Sequence, residues 1–320
     1  MLILEQSKEY IMADSLQNEK IIIFDGACGT TLQEMNIPDS VWGNCEGCNE
    51  YLNLTAPEII TEMHKKFIDA GAMVIETNTF GATRTVLAEY GLENQMAKIN
   101  SAAVKNAKVA INGVPNRYIA GSLGPTTKLI SLGHIEQDIL AKDYLDQTTV
   151  LLEAGVDAII IETCQDLLQV KTAIIAVLDA MQTTGRECPI FVSVTIEQTG
   201  TMLVGSDIAA VSTTLEPLPI FSLGLNCATG PTDMESHIRY LSHNWPKRIS
   251  CIPNQGLPEV VDGKTVYKLT PKEYAAHMKS FIEEDGVSIV GGCCGTSPAH
   301  IKALVTALAN ATPAARKISS

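Results

Sequence analysis

The feature that most narrows what this chain can fold into is a rhythm. Short runs rich in Ile and Val recur over residues 21–24, 72–76, 118–123, 158–162, 190–195, 220–226, 248–253 and 287–290, and most are nearly continuous in apolar residues. A strand with one wet face alternates apolar and polar residues, whereas a strand buried on both faces reads as an unbroken apolar run. Between the runs lie amphipathic stretches with helical spacing: 57–69, 85–111 with a break near Gly91, 141–153, 167–181, 207–215, 232–242, 271–284 and 298–308. Pro57, Pro271 and Pro298 stand at three of these starts, where the missing proline N–H has no helical partner to lose. Eight strands each followed by a helix predict a closed α/β fold, a (β/α)8 TIM barrel, because open doubly wound sheets more often carry five or six. No repeat, low-complexity block or linker divides the chain, so a single domain over residues 20–310 is expected. Residues 1–19 then form an N-terminal extension and residues 311–320 a C-terminal tail, both peripheral.

Composition excludes several classes of function. Hydrophobic residues make up 46% and charged residues 18%, enough for a large core and too apolar for disorder. Twenty-three Lys and Arg against thirty-six Asp and Glu leave a net charge of −13, which repels a phosphate backbone or an anionic lipid surface. No nucleic acid and no membrane partner is expected, and no run reaches the ~18 apolar residues of a membrane span. The N-terminus lacks a basic start, a long apolar stretch and a small-residue cleavage site, so it does not read as a secretory signal. Nine scattered cysteines suit a reducing compartment better than a disulfide framework, and a cytoplasmic location follows.

In a barrel of this kind the chemistry sits at the C-terminal ends of the strands. Asp25-Gly26 closes the first, Glu76-Thr77-Asn78-Thr79 the second, Ser122 with Gly124-Pro125-Thr126 the third, and Glu162-Thr163 the fourth. Thr195 ends the fifth, Asn226-Cys227 the sixth, Pro253-Asn254 the seventh, and Gly291-Gly292-Cys293-Cys294-Gly295-Thr296 the eighth. Cys227, Cys293 and Cys294 are thus separated around the rim only by strand seven. Three thiolates with one position left over is the pattern of a catalytic zinc site. Neighbours in a regular strand face opposite ways, so the vicinal pair can share a metal only if the backbone leaves strand geometry, which Gly291, Gly292 and Gly295 permit. A vicinal disulfide and two unrelated buried cysteines are the other readings of the same spacing.

The motifs Asp25–Thr30, Glu76–Phe80, Leu123–Thr126, Ile161–Thr163, Gly224–Cys227, Pro253–Pro258 and Gly291–Thr296, in order from about Ile21 to Leu308, resemble the homocysteine S-methyltransferases. The Gly-Pro-Thr, Asn-Thr-Phe and Pro-Asn-x-Gly-x-Pro elements look most like the homocysteine-binding barrel of the cobalamin-dependent methionine synthases. They look less like the branches that use betaine or S-methylmethionine. The resemblance implies Zn2+ held by Cys227, Cys293 and Cys294, with the Asn254 oxygen occupying the open position before substrate arrives; without the resemblance, Asn254 reads as a turn residue.

The resemblance also implies that the zinc-activated thiol of L-homocysteine attacks a methyl group and leaves as methionine. Asp25 and Glu162 would hold the amino-acid end, with Gly26, Thr77, Asn78 and Thr79 as weaker candidates. Capping of a loop is the structural alternative for both acids. Methylcobalamin is the implied donor, held by a corrinoid domain or a separate corrinoid protein, because 320 residues leave no room for a cobalamin-carrying domain. A stand-alone enzyme using betaine, S-methylmethionine or a methyl-corrinoid protein is the runner-up. An aromatic cage for an onium donor is not evident in a chain with 5% aromatics. A scaffold that binds zinc or a corrinoid protein without catalysis is the third reading.

Among the remaining cysteines, Cys45-x-x-Cys48 is a weak metal or redox signal, and Cys28, Cys164, Cys188 and Cys251 read as buried small apolar residues. The six histidines fall away from the rim and are not expected to be ligands.

Overall fold

The computed structural model describes residues 16–257, 259–261 and 264–318. Among these, the apolar runs form the parallel strands β1 (Ile22–Ile23), β2 (Val74–Glu76), β3 (Tyr118–Leu123), β4 (Ala158–Cys164), β5 (Ile190–Val194), β6 (Ser222–Asn226) and β7 (Arg248–Ile252). A short antiparallel hairpin, β8 (Glu259–Val261) with β9 (Lys264–Val266), precedes the last barrel strand, β10 (Ile289–Val290). The parallel strands pair in the order β1-β10-β7-β6-β5-β4-β3-β2. Phe24 bridges to Val74, and the N–H groups of Asp25 and Met73 donate to Val74 O and Ile23 O at 3.0 and 2.8 Å, which joins β1 to β2 and closes the ring. The expected (β/α)8 barrel is the fold observed.

Because side chains alternate along a strand, each strand divides its residues between two cores. Ile23, Ile75, Ile119, Ile159, Ile161, Val192, Leu223, Leu225 and Ile249 pack outward against the helices. Ile22, Phe24, Val74, Tyr118, Ala120, Ala158, Ile160, Phe191, Ile252 and Ile289 pack together inside the barrel. Phe191 meets Phe24 edge-on at 5.2 Å between ring centroids, so the interior is a filled core and not a pore. Leu16, from the segment assigned to the extension, is fully buried in this inner cluster. At the other terminus, the Arg316 guanidinium donates to the carbonyl oxygens of Trp245 and Lys247.

The helices obey the sequence signals unevenly. Helices Pro57–Ala70, Pro271–Asp285 and Pro298–Leu308 begin on their prolines, and Thr270 with Glu273 completes a capping box. The 85–111 stretch is broken as expected: helix Arg84–Leu87 gives way near Gly91, whose φ of +68° a larger residue would resist, before helix Met96–Ile111. Helix Gln137–Ala154 starts four residues before the predicted 141, with Asp138 in its first turn and Leu140 already buried in the core. The hairpin was not expected either, although Asp262-Gly263 between two Val-containing runs is a turn signal of the right kind. Among the described residues, no helix is long and apolar enough to cross a membrane.

One buried group bears directly on stability. His64, in helix Pro57–Ala70, is fully buried with neither ring nitrogen hydrogen-bonded among the described residues, and burial pushes its pKa down to about 4. Its folded pKa lies below the unfolded value of ~6.5, so the unfolded chain takes up the proton first. The stability present above pH ~6.5 is therefore lost as pH falls towards 4, by about 3 kcal/mol for this group alone. His64→Leu should flatten that part of the profile. Urea unfolding of both proteins at pH 7 and pH 4 checks it: equal losses on acidification would assign the pH dependence to other groups.

Candidate metal centre and amino-acid pocket

The alternation that fills the barrel also builds the site. Further along the same parity, towards the C-terminal ends, the inward residues become Glu76, Ser122, Glu162, Thr195 and Asn226. An apolar floor thus carries a polar layer above it, open to the loops.

The three cysteines meet at one side of this mouth. Cys227, Cys293 and Cys294 place their sulfurs within 4.8 Å of one another, and Cys227 Sγ lies 3.9 Å from Cys294 Sγ. Tetrahedral Zn2+ with bonds of about 2.3 Å would set sulfurs about 3.8 Å apart, so the thiols fit a thiophilic ion. Among the described residues no other group of three or more His, Cys, Asp or Glu side chains comes this close. Cys293 and Cys294 lie beyond β10 in a turn, as their shared facing requires. The Cys293 N–H donates to Pro253 O at 2.9 Å, and Cys294 O accepts from the Gln255 N–H at 2.9 Å, so the turn is anchored to the end of β7. The glycines act differently from one another. Gly295 takes a φ of +79°, whereas Gly292 is required for room: a Cβ there would sit 2.3 Å from Thr296 Oγ1. Cys227 itself and Ala228 hold φ of +59° and +53°, uncommon for residues with a Cβ and a sign of local strain.

The sulfurs share protons unequally. Hydrogen bonds from Cys227 and then Cys293 hold the Cys294 thiol down at about 3, while bonds with Cys227 and Cys294, and burial, push Cys293 up. This is a donor set able to give up its remaining protons to a cation. Asn254, on the loop after β7, is 4% exposed, and its Oδ1 has no hydrogen-bond partner among the described residues. A buried amide oxygen left unpaired is costly, which is the expected state of an oxygen meant for a ligand. Tyr267 was missed by sequence reasoning. Its ring packs on Gly295, and burial, followed by the negative charge of Cys294, Cys227 and Cys293, pushes its hydroxyl up to about 12. It lies 27 residues from the cysteine pair in an irregular stretch, so only the fold could find it (294 − 267).

Across the mouth lies a group of buried carboxylates. Asp25 Oδ2 accepts from the Glu76 N–H at 3.2 Å, and Glu162 Oε1 accepts from the Ser122 hydroxyl at 2.6 Å. Burial, and then the Glu162 and Asp25 charges, hold Glu76 well above the usual carboxylate range. Burial does the same to Asp25, opposed by the Glu76 N–H and aided by the Glu162 charge, and raises Glu162 against its bond from Ser122. Asp25 and Glu162 are therefore brought together, and Glu76 joins them. Its parity in β2 could have assigned it to this pocket.

The other sequence candidates are placed less directly. Thr77 Oγ1 and Thr79 Oγ1 are 2.6 Å apart, Thr79 Oγ1 donates to Ser122 O at 2.8 Å, and Thr77 Oγ1 accepts from the Ser122 N–H. Asn78 Nδ2 donates to Asn49 O at 2.8 Å. These side chains are engaged in knitting the loop after β2 to its surroundings. Gly26 lies where a Cβ would come 2.7 Å from Phe67.

All nine cysteines are free; Cys164 and Cys251 are buried as expected, but Cys28 and Cys188 are only partly so. The Cys28 thiol donates to Asn78 Oδ1 at 3.5 Å, at the edge of the carboxylate pocket. Cys45 and Cys48 are buried in a small apolar cluster with Ala82, Leu87 and Met96, and no third ligand joins them among the described residues.

A parallel barrel with polar and ionisable groups gathered at its C-terminal mouth defines the class of α/β-barrel enzyme domains. Residues 22–308 match the homocysteine S-methyltransferase family, and the chain belongs to it. It is 42% identical over 306 residues to the methionine synthase of Mycobacterium tuberculosis (strain ATCC 25618 / H37Rv), covering 94% of this chain and 26% of that protein. It is 41% identical over 295 residues to the methionine synthase of Mycobacterium leprae (strain TN), covering 91% of this chain and 24% of the relative. The chain therefore spans about a quarter of the length of these relatives. The metallated form of the homocysteine methyltransferase MmuM from Escherichia coli has the same fold, with a TM-score of 0.74 at 23% identity, covering 92% of this chain and 98% of that one.

The thiol cluster makes a direct prediction. Cys227→Ser and Cys293→Ser should each abolish one-to-one zinc binding while leaving circular dichroism and thermal melting close to native, since Cys227 belongs to neither apolar core and Cys293, only partly buried, packs against the inner one without being one of its buried members. Metal analysis after dialysis decides: a serine variant that retains stoichiometric zinc would remove that residue from the ligand set.

Proposed function

We propose that this chain transfers a methyl group to the thiol of L-homocysteine, giving methionine, as the homocysteine-binding module or subunit of a cobalamin-dependent methionine synthase. The observation that carries the reading is the pairing, within one barrel mouth, of a three-sulfur cluster with a group of carboxylates raised by burial, to which no Lys, Arg or His among the described residues is paired. Homocysteine has the two groups this pair calls for, a thiol and an ammonium. The family match and the methionine synthase relatives support the same reading.

In this reading Cys227, Cys293 and Cys294 would hold Zn2+, and Asn254 Oδ1 would be available as a fourth donor in the absence of substrate. The ion would supply a Lewis acid that deprotonates the incoming thiol at neutral pH, where a free thiol with a pKa near ~8.5 is only a few per cent thiolate. The residues of the chain do the rest. Asp25 and Glu162 receive the ammonium, whose charge offsets the burial that raises both carboxyls and the Glu162 charge that adds to it at Asp25. Ser122 fixes one Glu162 oxygen so that the other can face the substrate. Gly26, with the loop Thr77, Asn78 and Thr79, closes the amino-acid end, the threonines acting through the hydrogen bonds that hold that loop against β3. The sulfur lone pair forms the new S–CH3 bond as the methyl group leaves its carrier, which keeps the bonding electrons.

The carrier is a methylcobalamin held by a partner domain or protein. Exposed Phe80, Leu203 and Leu257, on loops at the mouth side, support an arriving partner there. A cytoplasmic setting belongs to the same reading, because the cluster requires reduced thiols.

The test mixes zinc-loaded protein with L-homocysteine and free methylcobalamin and follows cobalamin absorbance and methionine. Demethylation that needs both zinc and homocysteine is expected. Turnover with betaine or S-methylmethionine and none with methylcobalamin would move the chain to an onium-donor branch. Glu162→Gln should raise the KM for homocysteine by about tenfold or more with a smaller effect on kcat, because a charged hydrogen bond to the ammonium contributes about 1.5–3 kcal/mol. An unchanged KM would assign Glu162 a structural role.

A further inference from the structure

One element of the mouth touches neither the sulfurs nor the carboxylates' open side, yet ties the two together. Asn226, 1% exposed, reaches from the end of β6 across the barrel to Thr163 at the end of β4. Its Oδ1 accepts from the Thr163 N–H at 2.9 Å and its Nδ2 donates to Thr163 Oγ1 at 2.6 Å. A backbone N–H can only donate, so the amide can be oriented in one way alone. The Thr163 hydroxyl, having accepted from Asn226, keeps its own proton free to donate, and Thr163 directly follows Glu162 in the chain, so fixing its backbone N–H and hydroxyl fixes where the Glu162 side chain starts.

The backbone on both sides of this clamp is under constraint. Thr163 holds a φ of +57°, a left-handed conformation that a β-branched residue adopts only when its surroundings impose it. The pairing register of β4 shifts between Ile161 and Cys164 at the same place. On the other side, Asn226 O accepts from Thr195 Oγ1 at 3.0 Å, and the next two residues, Cys227 and Ala228, are left-handed as well. Three non-glycine residues in that region are thus held around one buried amide. Packing alone does not call for this, because neither β4 nor β6 needs it to pair with β5.

We propose that Asn226 is a positioning residue: by clamping Thr163 it fixes the span between the Glu162 carboxylate and the Cys227 sulfur, and thereby selects the chain length of the amino-acid thiol, homocysteine over cysteine. The inference rests on the homocysteine reading above. The two groups that must meet the ends of the substrate are each one residue from the clamp, Glu162 before Thr163 and Cys227 after Asn226. A pocket whose ends are fixed rejects a substrate one methylene shorter, because it cannot satisfy both ends at once. A pocket free to relax accommodates either.

The test loads the full chain with Co2+ and titrates L-homocysteine and L-cysteine, reading affinity by calorimetry and sulfur coordination by visible absorption. Asn226→Ala should keep one cobalt per chain, weaken homocysteine by about tenfold and cysteine much less, and so lower the homocysteine-to-cysteine affinity ratio by about tenfold. Thr163→Val, which removes only the hydroxyl end of the clamp, should lower the ratio in the same direction, and Thr163→Ser should restore it. A native ratio in Asn226→Ala, or in Thr163→Val if the alanine variant does not fold, overturns the proposal. If the native chain binds cobalt but neither thiol, the homocysteine reading fails on its own account. The cobalt bands then decide the clamp: a shift in Asn226→Ala upholds its hold on Cys227, and unshifted bands overturn it.

Discussion

A side chain on a β-strand can point only one way or the other, and in a closed parallel barrel that choice is between the helices and the barrel axis. The rest of this structure depends on that constraint. Outward residues such as Ile75, Ile161 and Leu225 attach the helices, and inward residues such as Phe24, Ile160 and Phe191 fill the axis. Further along the same parity, the inward position holds Glu76, Ser122, Glu162 or Asn226. No loop has to be folded inwards to place these polar groups. A one-residue slip of β4 would bury Ile161 in the mouth and turn Glu162 into the helix layer, so the register that maintains the core also maintains the pocket.

The cysteine cluster is constrained in a different way. Its members leave strand geometry altogether, at Cys227 through left-handed backbone and at Cys293-Cys294 through a turn anchored to Pro253 and Gln255. Three thiols and several carboxyls within one mouth make a strongly electronegative environment, and the protein alone answers it by retaining protons. Burial raises Asp25, Glu76 and Glu162, neighbouring carboxylate charge adds to it at Asp25 and Glu76 and the Cys227 charge at Glu162, while the sulfurs settle on one favoured thiolate at Cys294. Such a site exchanges protons for cations. A metal ion at one end and an ammonium at the other would each release protons on binding.

Much of this was legible in the sequence because the barrel writes its period directly into composition. β3 was bounded to the residue, and the strand ends that follow from the apolar runs carry the residues that meet in the mouth. Pro271 after Thr270 likewise announced its helix, since proline and the capping threonine each favour that start for an independent reason. What escaped was whatever depends on contacts between distant segments. Tyr267 approaches Gly295 because of the path taken after the hairpin, and no local pattern encodes that path. Asn226 read only as a neighbour of Cys227, since nothing in one strand announces a hydrogen bond to another strand two places away. His64 fell inside an amphipathic pattern, which marks a face as buried but gives no warning that a buried imidazole will have no partner among the described residues.

The position of Leu16 has a consequence for traffic. With that side chain fully buried in the inner cluster alongside Ile22, Tyr118 and Ile289, the barrel is stoppered at the end opposite the sulfurs. A vessel with one opening cannot be filled and emptied through separate ports. If the chain acts as proposed, amino acid, methyl carrier and product would all have to use the same doorway, and the smallest of them would enter first, because a carrier seated over the mouth would bar the way. The methylated product would then be held until the carrier withdraws, so a sealed floor is enough to impose an order on events that no moving part of the barrel needs to enforce.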